Sequence, residues 1–133
     1  LSLAQEDVRI TGHAIECRIN AEDPEHNFRP SPGKIEALHM PGGPGVRIDS
    51  AVYQGCEISP FYDSMIAKLI VYAPCREEAI KKMKWALAEF LVEGVTTNID
   101  FQLSLLRDKN FESADYDIGY LGRRESFHKK DSK

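Results

Sequence analysis

Glu16 and Arg18 stand two positions apart in a segment where apolar and polar residues alternate. In an extended strand, side chains at i and i+2 share a face, so these two charges belong to one polar face. An arginine there can bind a carboxylate, a phosphate or bicarbonate through two parallel hydrogen bonds, which a lysine cannot offer. Glu16 and Arg18 can also form an ion pair that is purely structural, and the residue types alone favour that interpretation.

The histidines and cysteines give no pattern of a metal centre. His13 and Cys17 lie four positions apart on one strand face, which is too little for a metal site. Cys17, Cys56 and Cys75 are odd in number and form no CxxC pair. The sequence has no HExxH motif and no serine–histidine–aspartate or cysteine–histidine arrangement. We therefore predict no metal ion, no disulfide framework, a reducing cytoplasmic location, and a binding or accessory role.

Two further features have open interpretations. The glycine-rich segment Pro41–Gly45 is not followed by a helix start that would donate N–H groups to a phosphate, so a tight loop is favoured. Lys68 lies within an apolar strand pattern and needs a carboxylate partner if it is buried. Glu16 and Asp63 are both candidates, and the sequence does not choose between them.

The composition is that of one globular domain. The chain has 133 residues, of which 42% are hydrophobic and 29% charged, and this length is enough for a core without disulfides or metals. Its formal net charge of −4 argues against nucleic-acid binding, which usually needs a basic surface. No apolar run approaches about 18 residues, so we expect no membrane span. The chain begins at Leu1 without a signal-peptide pattern, and we expect it to be part of a longer protein.

Alternation and turn residues predict four strands before any helix. The four segments are Val8–Ala21, Lys34–Met40, Val46–Tyr53 and Ser64–Tyr72. The first alternates, with one apolar and one polar face. The last is largely apolar on both faces, which is typical of a central strand buried on both sides.

The hydrophobic period becomes helical after Pro74. The apolar residues that recur at helical spacing are Ile80, Met83, Leu87 and Leu91. We expect this helix to end at Gly94. A second helix should open at Thr97 or Asn98, where Thr97 and Asp100 have the spacing of a capping box.

Strands followed by helices predict an α+β domain. We expect an antiparallel sheet from the N-terminal two-thirds of the chain, packed with two or three C-terminal helices. Residues 1–121 are assigned to this domain. Residues 122–133 are basic with few large apolar side chains, and we predict a frayed C-terminal tail.

Six blocks of the sequence, in order, resemble the biotin carboxylase C-terminal domain. They are Gly12–Pro24, Pro30–Ile35, Pro41–Arg47, Tyr62–Leu69, Arg76–Ile80 and Glu93–Asn98. The resemblance runs from about Leu1 to Tyr120, which is nearly the whole chain. Biotin carboxylases use MgATP and bicarbonate to carboxylate biotin held on a carrier protein. The resemblance therefore implies biotin and MgATP as cofactors of the full-length enzyme, with neither bound by this chain alone.

The resemblance also implies a role for Arg18. In the family the nucleotide site, the bicarbonate lysine and the glutamate base lie in an ATP-grasp domain, expected before Leu1, so we expect this chain to be inactive alone. The family places an arginine at the position of Arg18, where it contacts bicarbonate and the ureido oxygen of biotin. Arg18 is thus the expected catalytic and substrate-binding residue, with Glu16 and Asp63 as supporting residues.

By the same resemblance, the loop carrying Pro44 and Arg47 belongs to the dimer interface of the parent enzyme. Bacterial enzymes often carry an aromatic residue at the position of Pro44. The expected partners are the chain's own ATP-grasp domain, a biotin carboxyl carrier protein, carboxyltransferase subunits and a second copy, with no nucleic acid and no membrane.

A biotin carboxylase subunit of acetyl-CoA carboxylase, in fatty acid biosynthesis, is favoured over a fused pyruvate carboxylase, because no biotin-carrier pattern follows Tyr120. The alternative function is a non-catalytic scaffold or assembly domain of a biotin-dependent carboxylase. Such a scaffold would not need Arg18.

Overall fold

The computed structural model describes residues 2–123, in which short strands alternate with loops before the helices begin. In chain order the strands are β1 (His13–Asn20), β2 (Glu22–Asp23), β3 (Arg29–Pro30), β4 (Gly33–Lys34), β5 (Ala37–His39), β6 (Val46–Ser50), β7 (Glu57–Ile58), β8 (Met65–Ala73) and β9 (Leu91–Glu93). The helices are α1 (Arg76–Glu89), α2 (Ile99–Leu106), α3 (Lys109–Glu112) and α4 (Tyr120–Arg123). Single turns of 3-10 helix cover Gln5–Asp7 and Pro24–His26.

The main sheet has three antiparallel strands in the order β1–β8–β6. The predicted central position of β8 is confirmed. The strand is central because both of its faces carry apolar side chains. Ala67, Leu69 and Val71 are buried on one face, while Ile66 is buried on the other. Three two-stranded ribbons, β2–β3, β4–β7 and β5–β9, complete the strand pairing of the described residues.

The strand predicted over Val8–Ala21 is shorter at its N-terminal end. His13 pairs with Ala73, the last residue of β8, so residues before His13 have no strand to bond with. Val8 and Ile10 are accordingly exposed. The apolar face of β1 falls as predicted on Cys17 and Ile19, which are buried.

The prediction of one strand over Lys34–Met40 is wrong. The chain changes partner around Ile35, whose N–H donates to the carbonyl of Cys56 at 2.9 Å. The next N–H, that of Glu36, donates instead to the carbonyl of Glu93 at 2.8 Å. The segment therefore splits into β4, paired with β7, and β5, paired with β9.

Helix α1 ends earlier than the predicted end at Gly94. Its last residue is Glu89, and Leu91–Glu93 form β9 against β5. Leu91, predicted to continue the buried helical stripe, is 46% exposed. Gly94 instead has φ of +96°, and a Cβ there would overlap the carbonyl oxygen of Lys34. That glycine permits close backbone approach in a turn, and tertiary pairing with β5 ends the helix.

Helix α2 begins directly after Asn98, one of the two predicted start residues, but the predicted capping box of Thr97 and Asp100 is absent. Asn98 is the N-cap, and its carbonyl accepts from the N–H of Gln102 at 3.0 Å. No side chain caps this helix end, since the Asn98 side chain is bonded to β1 instead. The pattern of an Asx or Ser/Thr residue before an apolar run predicted the helix start correctly. It did not predict that the Asn98 side chain bonds to β1 and leaves its own helix uncapped.

The core lies between the inner face of the sheet and the buried faces of α1 and α2. Its largest fully buried side chains are Ile19, Ile35, Leu69, Met83, Leu87 and Val71. The predicted α+β class, with an antiparallel sheet and C-terminal helices, is confirmed. Residues 124–133 of the predicted tail lie outside the described residues. Over residues 2–123, none of the helices combines the length and apolar character needed to cross a membrane.

Candidate functional site

Arg18 lies on the polar face of β1, in a row of charges that crosses the main sheet. It stands opposite Lys68 of β8, and Lys68 stands opposite Asp49 of β6. Its side chain is 55% exposed. The alternation of β1 produces this arrangement, because the neighbouring Cys17 and Ile19 turn inward and leave Arg18 facing outward.

Asp63 is the carboxylate partner of Arg18. Nη2 of Arg18 lies 3.7 Å from Oδ2 of Asp63, which is beyond hydrogen-bonding distance. The N–H of Met65 donates to Oδ1 of Asp63 at 2.8 Å and fixes the orientation of the carboxylate. A pair this loose and exposed contributes little stability, so the guanidinium keeps donors for another anion.

The ion pair that the residue types favoured, between Glu16 and Arg18, is not formed. Within the described part of the chain, the ion pair of Arg18 is with Asp63, and Glu16 is exposed. The negative charge of Glu16 acts on its neighbour Cys17, whose thiol pKa is raised to about 12, first by burial and then by this charge. Glu16 and Arg18 therefore share a strand face but do not form an ion pair.

A polar network lies behind Asp63. Glu22 accepts from the side-chain amide of Asn20 at 3.1 Å and from the hydroxyl of Ser64 at 2.6 Å. The carbonyl of Ser64 accepts from the N–H of Ala21 at 2.8 Å. These bonds tie the loop that carries Asp63 to the end of β1, so the carboxylate and the arginine belong to one connected unit.

The backbone of Arg18 is held from α2. Its carbonyl oxygen accepts from the side-chain amide of Asn98 at 3.1 Å and from that of Gln102 at 2.5 Å. The Asn98 side-chain oxygen accepts from the N–H of Asn20 at 2.9 Å. Asn98 is 8% exposed, so it is a buried polar residue whose side-chain oxygen and nitrogen are both hydrogen-bonded.

Lys68 pairs with neither of the two carboxylates considered from the sequence. No ion pair of Lys68 with Glu16 or Asp63 occurs between residues 2 and 123. The carboxylate that faces Lys68 is that of Asp49. The hydrogen bonds from Arg47 are the main cause that lowers the pKa of Asp49, and the charge of Lys68 is the smallest. Lys68 is only partly buried, so it does not need the tight partner that full burial would require.

Arg47 and Pro44 lie at the opposite edge of the main sheet from Arg18. Nε and Nη2 of Arg47 each donate to Asp49 at 2.9 Å, as a bidentate pair within β6. Pro44 is in the loop before β6, and its carbonyl accepts from Nζ of Lys82 at 3.1 Å. The same Nζ donates to the carbonyl of Tyr72 at 2.8 Å, so α1 anchors the loop to β8.

The fold and this site define a class: an α+β domain that presents an arginine able to bind an anion on an exposed sheet face. A family model described as the biotin carboxylase C-terminal domain matches residues 16–123. Biotin carboxylase 1 of Bacillus subtilis is 56% identical over 121 residues, covering 91% of this chain and 27% of that protein. A pyruvate carboxylase subunit of Methanothermobacter thermautotrophicus is 55% identical over 111 residues, covering 84% of this chain and 23% of that protein.

Solved structures agree with the sequence comparisons. The biotin carboxylase domain dimer of the 2-oxoglutarate carboxylase of Hydrogenobacter thermophilus, in complex with MgADP, ADP and bicarbonate, has a TM-score of 0.93 and 43% identity. That match covers 99% of this chain and 29% of the solved chain. The chain belongs to the biotin carboxylase C-terminal domain family, and it spans about a quarter of the length of the curated relatives it matches.

Sequence reasoning missed three residues that shape the site. Asn98 was considered only as a helix start, and neither Gln102 nor Lys82 was singled out. Each acts through a hydrogen bond to a backbone carbonyl in another element of the fold. Residue type and local spacing carry no signal for such bonds. The sequence shows only an asparagine at a helix start, and the burial that marks Asn98 as unusual is known from the fold alone.

Proposed function

We propose that this chain is the C-terminal domain of a biotin carboxylase and supplies Arg18 to the site where bicarbonate and biotin react. The observation that carries the proposal is the exposed Arg18 guanidinium, held on a paired sheet strand and placed 3.7 Å from the loose carboxylate partner Asp63. An exposed guanidinium with such a loose ion-pair partner can bind an anion from solution or from another domain.

The chemistry expected at Arg18 is stabilisation of negative charge on oxygen. Bicarbonate carries such charge, and removal of a proton from the ureido nitrogen of biotin places charge on the ureido oxygen. A planar guanidinium can meet either group with two parallel hydrogen bonds. Asp63 is proposed to support the guanidinium through its nearby negative charge and Glu16 to keep this face polar. A preorganised donor at a developing oxyanion is typically worth about 3–4 kcal/mol in rate.

The donors in this domain fit part of the carboxylation site. Arg18 suits the ureido oxygen of biotin and bicarbonate, and biotin itself supplies the nitrogen that accepts the carboxyl group. Between residues 2 and 123, no cluster of three or more histidine, cysteine or acidic side chains could hold a metal ion by itself. The family resemblance is what supports placing MgATP binding in the ATP-grasp domain of the parent enzyme, and on that ground we expect this chain to be inactive alone.

The proposed partners follow from the same assignment. Pro44 and Arg47, at the sheet edge opposite Arg18, are proposed to contribute to a homodimer contact, and a related domain has been solved as a dimer. A biotin carboxyl carrier protein and carboxyltransferase subunits would complete a cytoplasmic enzyme. We propose acetyl-CoA carboxylase, and hence fatty acid biosynthesis, as the setting, although relatives also include pyruvate and 2-oxoglutarate carboxylases.

Substitution of Arg18 in the complete carboxylase that carries this domain tests the function. Arg18→Ala should lower the rate of biotin carboxylation by about two orders of magnitude or more, the scale of a lost oxyanion donor. Arg18→Lys should recover only part of that loss, because lysine restores the positive charge but cannot form two parallel hydrogen bonds to one group. Steady-state kinetics with free biotin and with the carrier protein provide the measurement.

Unfolding of the same variants separates this function from a scaffold. Because the Arg18–Asp63 pair is exposed, Arg18→Ala should change the free energy of unfolding by less than about 1 kcal/mol. Full carboxylation by Arg18→Ala together with a large loss of stability would favour the scaffold and reject the proposed function.

A further inference from the structure

Within residues 2–123, β1 has one edge without a neighbouring strand. It is bonded to β8 on one side only, and its pairing with β8 is irregular between Ile19 and Asn20. The backbone groups of Asn20 and the carbonyl of Arg18 that face away from β8 have other partners, since a backbone polar group that is covered without a partner is costly.

The start of α2 supplies partners for the Arg18 carbonyl and for the N–H and carbonyl of Asn20, through side chains and one backbone group. Asn98 bonds to Asn20 twice, through its N–H to the Asn20 carbonyl at 3.2 Å and through its side-chain oxygen to the Asn20 N–H at 2.9 Å. Its side-chain nitrogen then reaches the carbonyl of Arg18. Asn98 thus replaces a strand neighbour at the position where the ladder is irregular.

Gln102 adds a second donor to the Arg18 carbonyl, one turn further along α2. Two amides from one helix end therefore converge on the peptide oxygen of the residue proposed to meet the substrate. Covering a strand edge requires one donor for that oxygen, and a second donor restricts its orientation further.

We propose that Asn98 and Gln102 are positioning residues that set the orientation of the Arg18 peptide and, through it, the placement of the guanidinium. This inference rests on the proposed function of Arg18. The guanidinium is at the end of a long side chain, so a small tilt of its peptide becomes a displacement on the order of 1 Å. A displacement of that size in a catalytic group can cost about a hundredfold in rate.

Gln102→Met in the complete carboxylase that carries this domain tests the inference. Methionine keeps the length of the side chain and removes the donor, and Gln102 is only partly buried, so folding should be retained. We expect kcat for biotin carboxylation to fall about tenfold while KM for ATP and the melting temperature stay near their original values. Gln54→Met makes the same chemical change in an exposed turn and should leave every parameter unchanged.

The same substitution in an Arg18→Ala background distinguishes positioning from a general structural role. If Gln102 acts through Arg18, its tenfold effect disappears when the guanidinium is gone. An equal loss in both backgrounds, or no loss with Arg18 present, overturns the inference and leaves the function of Arg18 intact. Wild-type activity of Arg18→Ala overturns the proposed function and the inference together.

Discussion

Cys17 and Arg18 are adjacent residues with opposite environments. Cys17 points into the core and is 5% exposed, whereas the Arg18 side chain points outward. Burial, and secondarily the charge of Glu16, raises the pKa of the Cys17 thiol to about 12. At neutral pH the thiol is therefore protonated and behaves as a small apolar side chain.

The raised pKa of Cys17 predicts a loss of stability at alkaline pH. The unfolded thiol ionises near its ordinary pKa of 9.0, while the folded thiol stays protonated until about pH 12. Above pH 9 the unfolded state binds fewer protons than the folded state, so the free energy of unfolding should fall by about 1.4 kcal/mol per pH unit. Below pH 9 this contribution is fully present.

Urea unfolding of the domain from about pH 7.5 to about pH 10.5, a range that spans the unfolded pKa, measures this effect, with Cys17→Ala as the comparison. Other titrating groups are common to both proteins, so their contributions cancel in the difference. The stability advantage of the original protein over Cys17→Ala should shrink above pH 9. A difference that stays constant across that range would show that the thiol ionises equally in both states.

At the scale of elements, the loop before β6 is held in shape by α1. Lys82 donates to the carbonyls of Pro44 and Tyr72, and the carbonyl of Gly45 accepts from the N–H of Tyr72 at 2.8 Å. Gly45 has φ of +74°, and a Cβ there would lie 2.6 Å from the Tyr72 oxygen and 2.5 Å from Nζ of Lys82. This loop leads directly into Arg47, so its shape sets where the proposed dimer contact begins.

Gly45→Ala should destabilise the domain by about 1–3 kcal/mol, because it combines a left-handed backbone with a backbone clash. Gly42→Ala is the matched control in the same loop, since nothing lies within 4 Å of its Cβ position and its φ is not positive. Thermal unfolding of both variants gives the comparison. Equal melting temperatures for the two would mean that the loop adapts and that Lys82 does not fix it.

At the scale of the whole molecule, the sheet presents two separated edges with different proposed roles. Arg18 is on β1 and Arg47 is on β6, with β8 between them. Glu16 of β1, Ile70 of β8 and Arg47 align across the same face. One sheet therefore carries the proposed substrate contact and the proposed dimer contact, and nucleotide chemistry is proposed to lie in the rest of the enzyme.

The purified chain should show no bicarbonate-dependent release of ADP from ATP, with or without biotin. The chain spans about a quarter of the length of its curated relatives, and nucleotide binding is proposed to lie in the remainder. A coupled ADP assay on the chain, with a complete biotin carboxylase as the positive control, makes the measurement. Turnover comparable to that of the complete enzyme would contradict the proposed assignment of nucleotide chemistry to another domain.

The sequence by itself determined the faces of the main elements. The alternation around Cys17 and Ile19 predicted the buried side of β1, the two apolar faces of β8 predicted its central position, and the helical period located the start of α1. Arg18 was identified as a candidate from its strand face and the family resemblance. These features are local, because a side chain's face depends on the repeat of its own strand or helix.

Only the tertiary structure decided which partners these elements meet. The pairing of β9 with β5 ended α1 before Gly94, and Asp63 rather than Glu16 became the ion-pair partner of Arg18. Asn98 bonds across to β1 instead of capping its own helix. Each outcome is a contact between residues distant in the chain. The physical reason is that hydrogen-bonding groups are satisfied by whichever partner the fold brings within about 3 Å, and local periodicity does not specify that partner.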